Sequence, residues 1–245
     1  MEEDNRKRLT SSHVPISRGR RGWGEVKKIK KMKIGADTIS HTVIIADGTF
    51  PSHPVPLGYI TNAERIICCD GSADNTILAG FVPDAIVGDM DSLSTELSDR
   101  FADRIFPDYD QNTNDLTKAV TWCRESGYKD LVIVGATGKR EDHTIGNISL
   151  LADYIKDVKV IMVTDTGLFM PLLKSSTIES FNGQQVSLFA ISPETEITTH
   201  GLKYPLDRIK IRNWWVATLN EALGESFSIE FSYGRVIVFL KFAEI

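Results

Sequence analysis

Five short apolar runs rich in β-branched residues constrain this chain more than anything else, and four of them run straight into an aspartate. They are TVIIAD (42–47), RIICCD (65–70), DAIVGD (84–89), LVIVG (131–135) and VKVIMVTD (158–165). Runs that are apolar on both faces predict buried parallel strands, although a short core helix gives the same pattern. The segments between them decide the matter. In NDLTKAVTWCRESG, Leu116, Ala119, Val120 and Cys123 fall at i, i+3, i+4 and i+7, one helical stripe that Gly127 can end. In DHTIGNISLLADYI, Ile148, Leu151 and Ile155 make a second stripe, with Asp142 as its expected N-cap. Strands alternating with helices predict an α/β layer with a mostly parallel, Rossmann-like sheet and flanking helices.

After about residue 175 the pattern changes to short strands and turns with no long helical stripe. QQVSLFAIS, TEITTHG, DRIKIRNWWVATLN and SIEFSYGRVIVFL predict an all-β sandwich or partial barrel, the last as a hairpin turning near Tyr233-Gly234. Trp214 and Trp215 fall in a strand-like run, facing the core or an interface. The expected division is therefore a leader (1–33), an α/β domain (34–172) and a β domain (173–245).

Charge separates the leader from the rest. Residues 1–33 carry eleven Lys/Arg against four Asp/Glu, which leaves 17 basic and 29 acidic side chains in the remainder. The leader lacks apolar periodicity and reads as a disordered extension. An acidic body argues against nucleic acid as the main partner. No stretch approaches the roughly 18 apolar residues that span a bilayer, so no membrane partner is expected. Three cysteines, two of them adjacent (Cys68 and Cys69), make no disulfide framework and point to a reducing, cytoplasmic setting.

The strand-end aspartates carry the chemistry. One aspartate at such a position is ordinarily a turn or cap residue. CCDGS and GDMDS differ, because small residues flank Asp70, Asp89 and Asp91 and let the backbone turn tightly. In an open parallel sheet, ligands bind outside the carboxyl ends of the strands. If the segment is extended, Asp89 and Asp91 project to one face and can share a Mg²⁺ ion; a solvated loop is the plainer alternative. Asp115 opens the first helical stripe, where Asn112 or Thr113 would cap the helix. IVGATGKREDHTIGN runs from strand through a glycine-containing loop into a helix, which suits phosphate, with Lys139 and Arg140 adding positive charge. It is neither the dinucleotide fingerprint nor the Walker loop. Acidic metal ligands beside a phosphate cradle suit phosphoryl-group chemistry.

The ordered series CDGSADN, PDAIVGDMDS, DQNTNDLTKA, GATGKREDHTIGN and THGLKYPLD resembles the thiamine pyrophosphokinase family over about residues 42–240. The resemblance implies a homodimeric enzyme that moves a pyrophosphoryl group from Mg-ATP to the thiamine hydroxyl, releasing AMP. It implies Asp89, Asp91 and Asp115 as Mg²⁺ ligands with Asp70 close by. Gln111, Arg140, Asp142, His143 and Asn147 would line the ATP and reaction site, with Asp91, Asp115, Arg140 and Asp142 catalytic. Thr218 and Asn220 would touch thiamine where the β domain of one subunit meets the α/β domain of the other. The chain departs from the family pattern at Ala217 and Leu219, where serines are usual, and at Asn114, Lys139 and Tyr204. Two other functions use parts of the same set: a metal-dependent phosphohydrolase on the same carboxylates, or a non-catalytic thiamine or nucleotide sensor. Phosphohydrolase sites often add histidine ligands, and only His143 of the five histidines lies within the carboxylate and glycine-loop motifs.

Overall fold

A computed structural model describes residues 31–32 and 40–243. Along the chain run β1 (Lys31–Met32), β2 (Thr42–Ile45), α1 (Pro54–Thr61), β3 (Arg65–Cys69), α2 (Ala73–Leu78), β4 (Ala85–Gly88), α3 (Thr95–Arg100) and β5 (Ile105–Pro107). Then come α4 (Asp115–Glu125), β6 (Asp130–Val134), α5 (Glu141–Tyr154), β7 (Lys159–Val163) and β8 (Gly167–Leu172). The remainder is strand: β9 (Ser176–Glu179), β10 (Gln185–Ala190), β11 (Glu196–His200), β12 (Ile209–Lys210), β13 (Asn220–Glu221), β14 (Ser226–Glu230) and β15 (Val236–Lys241).

All five apolar runs are strands of one parallel array, in the order β7-β6-β2-β3-β4-β5. The side chains of β2 and β4 are buried on both faces. Helices cover both sides: Tyr59, Ala73 and Leu97 of α1–α3 join one core, and Leu116, Val120 and Leu151 of α4 and α5 join the other. Both helical stripes pack as their spacing predicts, and Gly127 follows α4 with φ +85°, the left-handed turn that glycine adopts without a Cβ clash.

The β half continues the same sheet. β8 pairs antiparallel with β7, and β15, β10 and β13 extend the sheet to ten strands. A second sheet, β1-β9-β14-β11-β12, packs on this extension as a sandwich filled by Ile178, Leu188, Phe227, Ile229 and Val238. The expected hairpin over SIEFSYGRVIVFL does not form. β14 pairs with β9 and β11, whereas β15 pairs with β8 and β10, so the turn at Gly234 (φ +86°) carries the chain from one sheet to the other. Alternation alone cannot tell a hairpin from a sheet change, because both strands keep one buried face. Trp214 and Trp215 also leave the expected strand: they lie in a turn, with Trp215 75% exposed. Of the leader, Lys31–Met32 pair in parallel with Thr177–Ile178, and the rest lies outside the described residues. No described helix is long and apolar enough to cross a membrane.

Candidate active site

The site forms where the parallel strands end. β3 delivers Asp70 into a short 3₁₀ turn, and β4 delivers Asp89 and Asp91 into the next loop. One carboxylate oxygen from each of these three residues lies within 4.8 Å of the others. Asp70 is buried at 2% exposure; its Oδ1 accepts the Gly71 N–H at 2.7 Å, and its Oδ2 is buried without a hydrogen-bond partner. Burial pushes the Asp70 carboxyl up, and the nearby Asp115 and Asp89 charges add to the rise. Gly88 is what makes room for it, since a Cβ there would stand 2.8 Å from the Asp70 carboxyl carbon.

Asp89 and Asp91 do converge, but not along an extended strand. Met90 between them is in the left-handed region (φ 69°), and the Asp91 N–H donates to Asp89 Oδ1 at 3.3 Å. That amide, with Lys118 nearby, holds the Asp89 carboxyl below its usual range. A non-glycine residue in this conformation costs about 1–3 kcal/mol and persists only where its surroundings impose it.

Asp115 stands beside this group rather than inside it. Its Oδ1 accepts from Lys118 Nζ at 3.0 Å, and the same ammonium lies 3.6 Å from Asp89. Lys118 is the member of this charged group that the sequence pattern did not single out. It sits one turn after Asp115 in α4, with its side chain 2% exposed between two acids. Burial lowers its affinity for a proton, but Asp115 and Asp89 more than offset this, so the ammonium is held above its ordinary range. A lysine within an otherwise apolar buried face, three residues after an acid, was the available signal.

The opposite wall is the loop after β6 and the start of α5. Arg140, not Asp142, is the N-cap position of α5, and Asp142 lies in the first turn. Arg140 grips Asp142 with Nε at 3.1 Å and Nη2 at 2.6 Å, which lowers the Asp142 carboxyl to about 2. The His143 N–H also donates to Asp142. The cap of α4 is likewise moved from Asn112 or Thr113 to Asn114, whose Oδ1 accepts the Thr117 N–H at 3.0 Å. Asn114 also donates to Asn147 Oδ1 at 3.3 Å, and Asn147 in turn donates to the Ala136 carbonyl at 3.0 Å. This chain of amides fixes α4, α5 and the glycine loop to one another. Lys139 pairs with Asp47 at 2.7 Å. Together these walls bound a cleft of about 400 Å³ lined by Asp89, Asp91, Asp115, Arg140, His143 and Asn147. Gln111 lies on the exposed loop before α4, with its amide toward Asp89.

The β-half residues have structural attachments. The Thr218 hydroxyl donates to the Trp215 carbonyl at 2.8 Å. Asn220, 3% exposed, accepts the Tyr204 and Glu221 N–H groups and donates to the Tyr204 carbonyl, tying down the GLKY turn. Leu219 between them is 77% exposed with φ 57°.

An acidic group facing a basic, amide-rich loop across a cleft at the strand ends is the site of a protein that acts on phosphoryl-type groups. Residues 57–163 match the family profile "Thiamin pyrophosphokinase, catalytic domain", and residues 167–239 match "Thiamin pyrophosphokinase, substrate-binding domain". The chain belongs to the thiamin pyrophosphokinase family. It is 27% identical over 205 residues to thiamine pyrophosphokinase of Bacillus subtilis, covering 80% of this chain and 95% of that one. It is 28% identical to thiamine pyrophosphokinase 2 of Arabidopsis thaliana, over 69% of this chain and 75% of that one. Among solved structures, thiamin pyrophosphokinase from Geobacillus thermodenitrificans superposes with a TM-score of 0.68 at 26% identity, covering 83% of this chain and 98% of that one.

Proposed function

We propose that this chain converts thiamine and ATP into thiamine diphosphate and AMP. The observation that carries the proposal is the buried, unpartnered Asp70 Oδ2 beneath Asp89 and Asp91, which line a cleft whose far wall is a glycine loop running into a helix N-terminus. An orphaned buried carboxylate oxygen costs stability unless something positive meets it, and three clustered carboxylates with room for water and phosphate oxygens fit a hard divalent cation such as Mg²⁺. Asp70, Asp89 and Asp91 would hold that ion, which when bound would neutralise phosphate charge.

The chain's own residues supply the rest. The α5 N-terminus and the amides of the 135–138 loop favour the polyphosphate. Arg140 adds a permanently charged fork; its exposed pairing with Asp142 keeps it at the mouth of the cleft, where a phosphate can replace the carboxylate. Gln111, His143 and Asn147 complete the ATP side. The thiamine hydroxyl oxygen would attack the β-phosphorus, the bond from that phosphorus to the oxygen bridging to the α-phosphate would break, and AMP would leave with the electron pair. Asp115, whose second oxygen is not used by Lys118, would be the carboxylate that takes the hydroxyl proton. Lys118 lies between Asp115 and Asp89 and offsets the repulsion between the two acids. Thr218 would meet thiamine, while Asn220 would shape its seat by holding the GLKY turn.

The exposed Trp215, Leu219, Tyr204 and Leu223 of the β half support a homodimer that covers them. Three free, buried cysteines support a cytoplasmic setting. Incubation with ATP, Mg²⁺ and thiamine should yield AMP and thiamine diphosphate in equal amounts, and neither without thiamine. ADP with thiamine monophosphate would overturn pyrophosphoryl transfer. Thiamine-independent phosphate release would favour the hydrolase reading, and saturable binding without AMP the sensor.

A further inference from the structure

The parallel end of the sheet gathers more acid than Asp70, Asp89 and Asp91 alone. β5 runs beside β4 with Pro107 opposite Gly88, and the Asp108 N–H donates to the Gly88 carbonyl at 2.7 Å. That bond carries the ladder one residue further and brings the Asp108 backbone beside that of Asp89. Asp115 reaches the same place from the first turn of α4. Like charges gathered in this way repel unless a cation lies between them. The cation here is Lys118, whose Nζ is 3.0 Å from Asp115 and 3.6 Å from Asp89, with Asp108 near enough to strengthen its hold on the proton.

Lys118 is poorly suited to a purely structural part. Its side chain is 2% exposed, and an ammonium carries three donors. Among the described residues, Asp115 Oδ1 is the one side-chain acceptor within hydrogen-bond distance of it. Its buried neighbours on α4, Leu116, Ala119, Val120 and Cys123, are apolar. An apolar side chain in place of a buried ion pair is commonly neutral or stabilising, so the charge at this position serves the acids and not the packing. Lys118 does not line the cleft, and it therefore acts through Asp89 and Asp115 rather than on a substrate.

Asp89 belongs to two groups at once. It meets Asp70 and Asp91 in one and Lys118 in the other. Its Oδ1 accepts the Asp91 N–H, and its Oδ2 faces the ammonium. Phosphoryl-transfer centres often hold two divalent ions about 3.5–4 Å apart. Here one of the two cation positions around Asp89 is filled by the protein itself. We infer that Lys118 is a fixed second cation: this chain takes one divalent ion onto its carboxylates, where an uncharged residue at 118 would admit two. The inference rests on the metal-dependent reading given above. An ammonium tethered to α4 does not dissociate, so Asp89 and Asp115 stay positioned at Mg²⁺ concentrations too low to fill a second site.

Mn²⁺ takes the same oxygen ligands as Mg²⁺ and is visible by electron paramagnetic resonance, so it tests this on the nucleotide-free protein. Wild type should bind one Mn²⁺ per chain. Lys118→Met, which keeps the length and removes the charge, should bind one more than wild type. Lys118→Arg, which keeps the charge, should bind the same number as wild type. Turnover of Lys118→Met should fall about 10- to 100-fold at a Mg²⁺ concentration that saturates wild type. It should recover in part as Mg²⁺ is raised, a rescue that lost packing would not give. Two ions on wild type, or equal numbers on wild type and Lys118→Met, would overturn the inference. If Lys118→Met is unfolded without metal, Mg²⁺ should refold it, as followed by circular dichroism; a chain left unfolded at every Mg²⁺ concentration would overturn the inference equally. A wild type that binds no ion would refute the metal-dependent reading, whereas the assignment of Lys118 is decided by the difference of one ion between the two proteins.

Discussion

The two ends of the ten-stranded sheet treat buried polarity in opposite ways. At its parallel end, the strands finish in Asp70, Asp89 and Asp91, with one buried carboxylate oxygen unpartnered and one methionine in a left-handed conformation. At its antiparallel end, the same sheet is sealed by a second one, and Leu188, Val238, Phe227 and Ile229 are at most 2% exposed. The buried atoms without partners there belong to the neutral Gln184 and Thr195. The parallel end thus carries charge and strain that only a ligand relieves, and the antiparallel end carries packing. Stability and chemistry should separate accordingly when each end is mutated.

The largest effect is expected on rate at the parallel end. Asp91→Asn keeps size and shape, and the Ser92 hydroxyl that donates to Asp91 Oδ1 at 2.8 Å retains a side-chain acceptor, so melting should change little. Turnover should fall on the order of 100-fold or more, because a charge facing the reacting phosphates is lost. Wild-type-like rates of AMP formation would remove Asp91 from the site.

The converse belongs to the antiparallel end. Phe227→Ala empties a core position that is 2% exposed and should cost about 3–5 kcal/mol in urea unfolding. Well below its lowered melting temperature, kcat should stay near wild type. A matching loss of kcat would mean that the two ends are not separable.

Asp70→Asn sets the two quantities against each other. It removes a buried charge whose ionised form the fold disfavours, so the metal-free protein should melt about 2–4 °C higher while activity falls. Added Mg²⁺ should raise the melting temperature of wild type and not of the variant. A lower melting temperature in the metal-free variant would mean that the ionised Asp70 stabilises the fold on its own.

The same contrast explains what could be read from the residues alone. Five both-face apolar runs and two helical stripes fixed the parallel sheet and its helices, because burial on both faces and a 3.6-residue period are properties of each segment by itself. The aspartates could be named because small residues at strand ends are local too. Pairing was not legible. β14 and β15 keep the alternation of a hairpin yet belong to different sheets, and the partner of each is set by the whole sandwich. Cap positions slipped by one or two residues, to Asn114 and Arg140, because several neighbouring polar residues could serve. Lys118 was hidden because its role depends on Asp89, which is distant in sequence and adjacent only after folding.

The smallest expected effect probes whether the strain at Met90 belongs to the site or is incidental to it. The left-handed conformation costs a non-glycine residue about 1–2 kcal/mol relative to glycine, whereas glycine gives up about 0.5–1 kcal/mol in unfolded-state entropy. Met90→Gly should therefore leave stability within about 1 kcal/mol of wild type, on the stabilising side. The backbone that brings Asp89 and Asp91 together would then be reached without constraint, and also left without constraint. Activity should consequently fall by a factor of a few at low Mg²⁺ and recover at high Mg²⁺, since a looser pair of carboxylates loses affinity for the ion before it loses chemistry. If activity is unchanged at every Mg²⁺ concentration, the turn at Met90 is a consequence of chain path and plays no part in holding the two carboxylates for the cation.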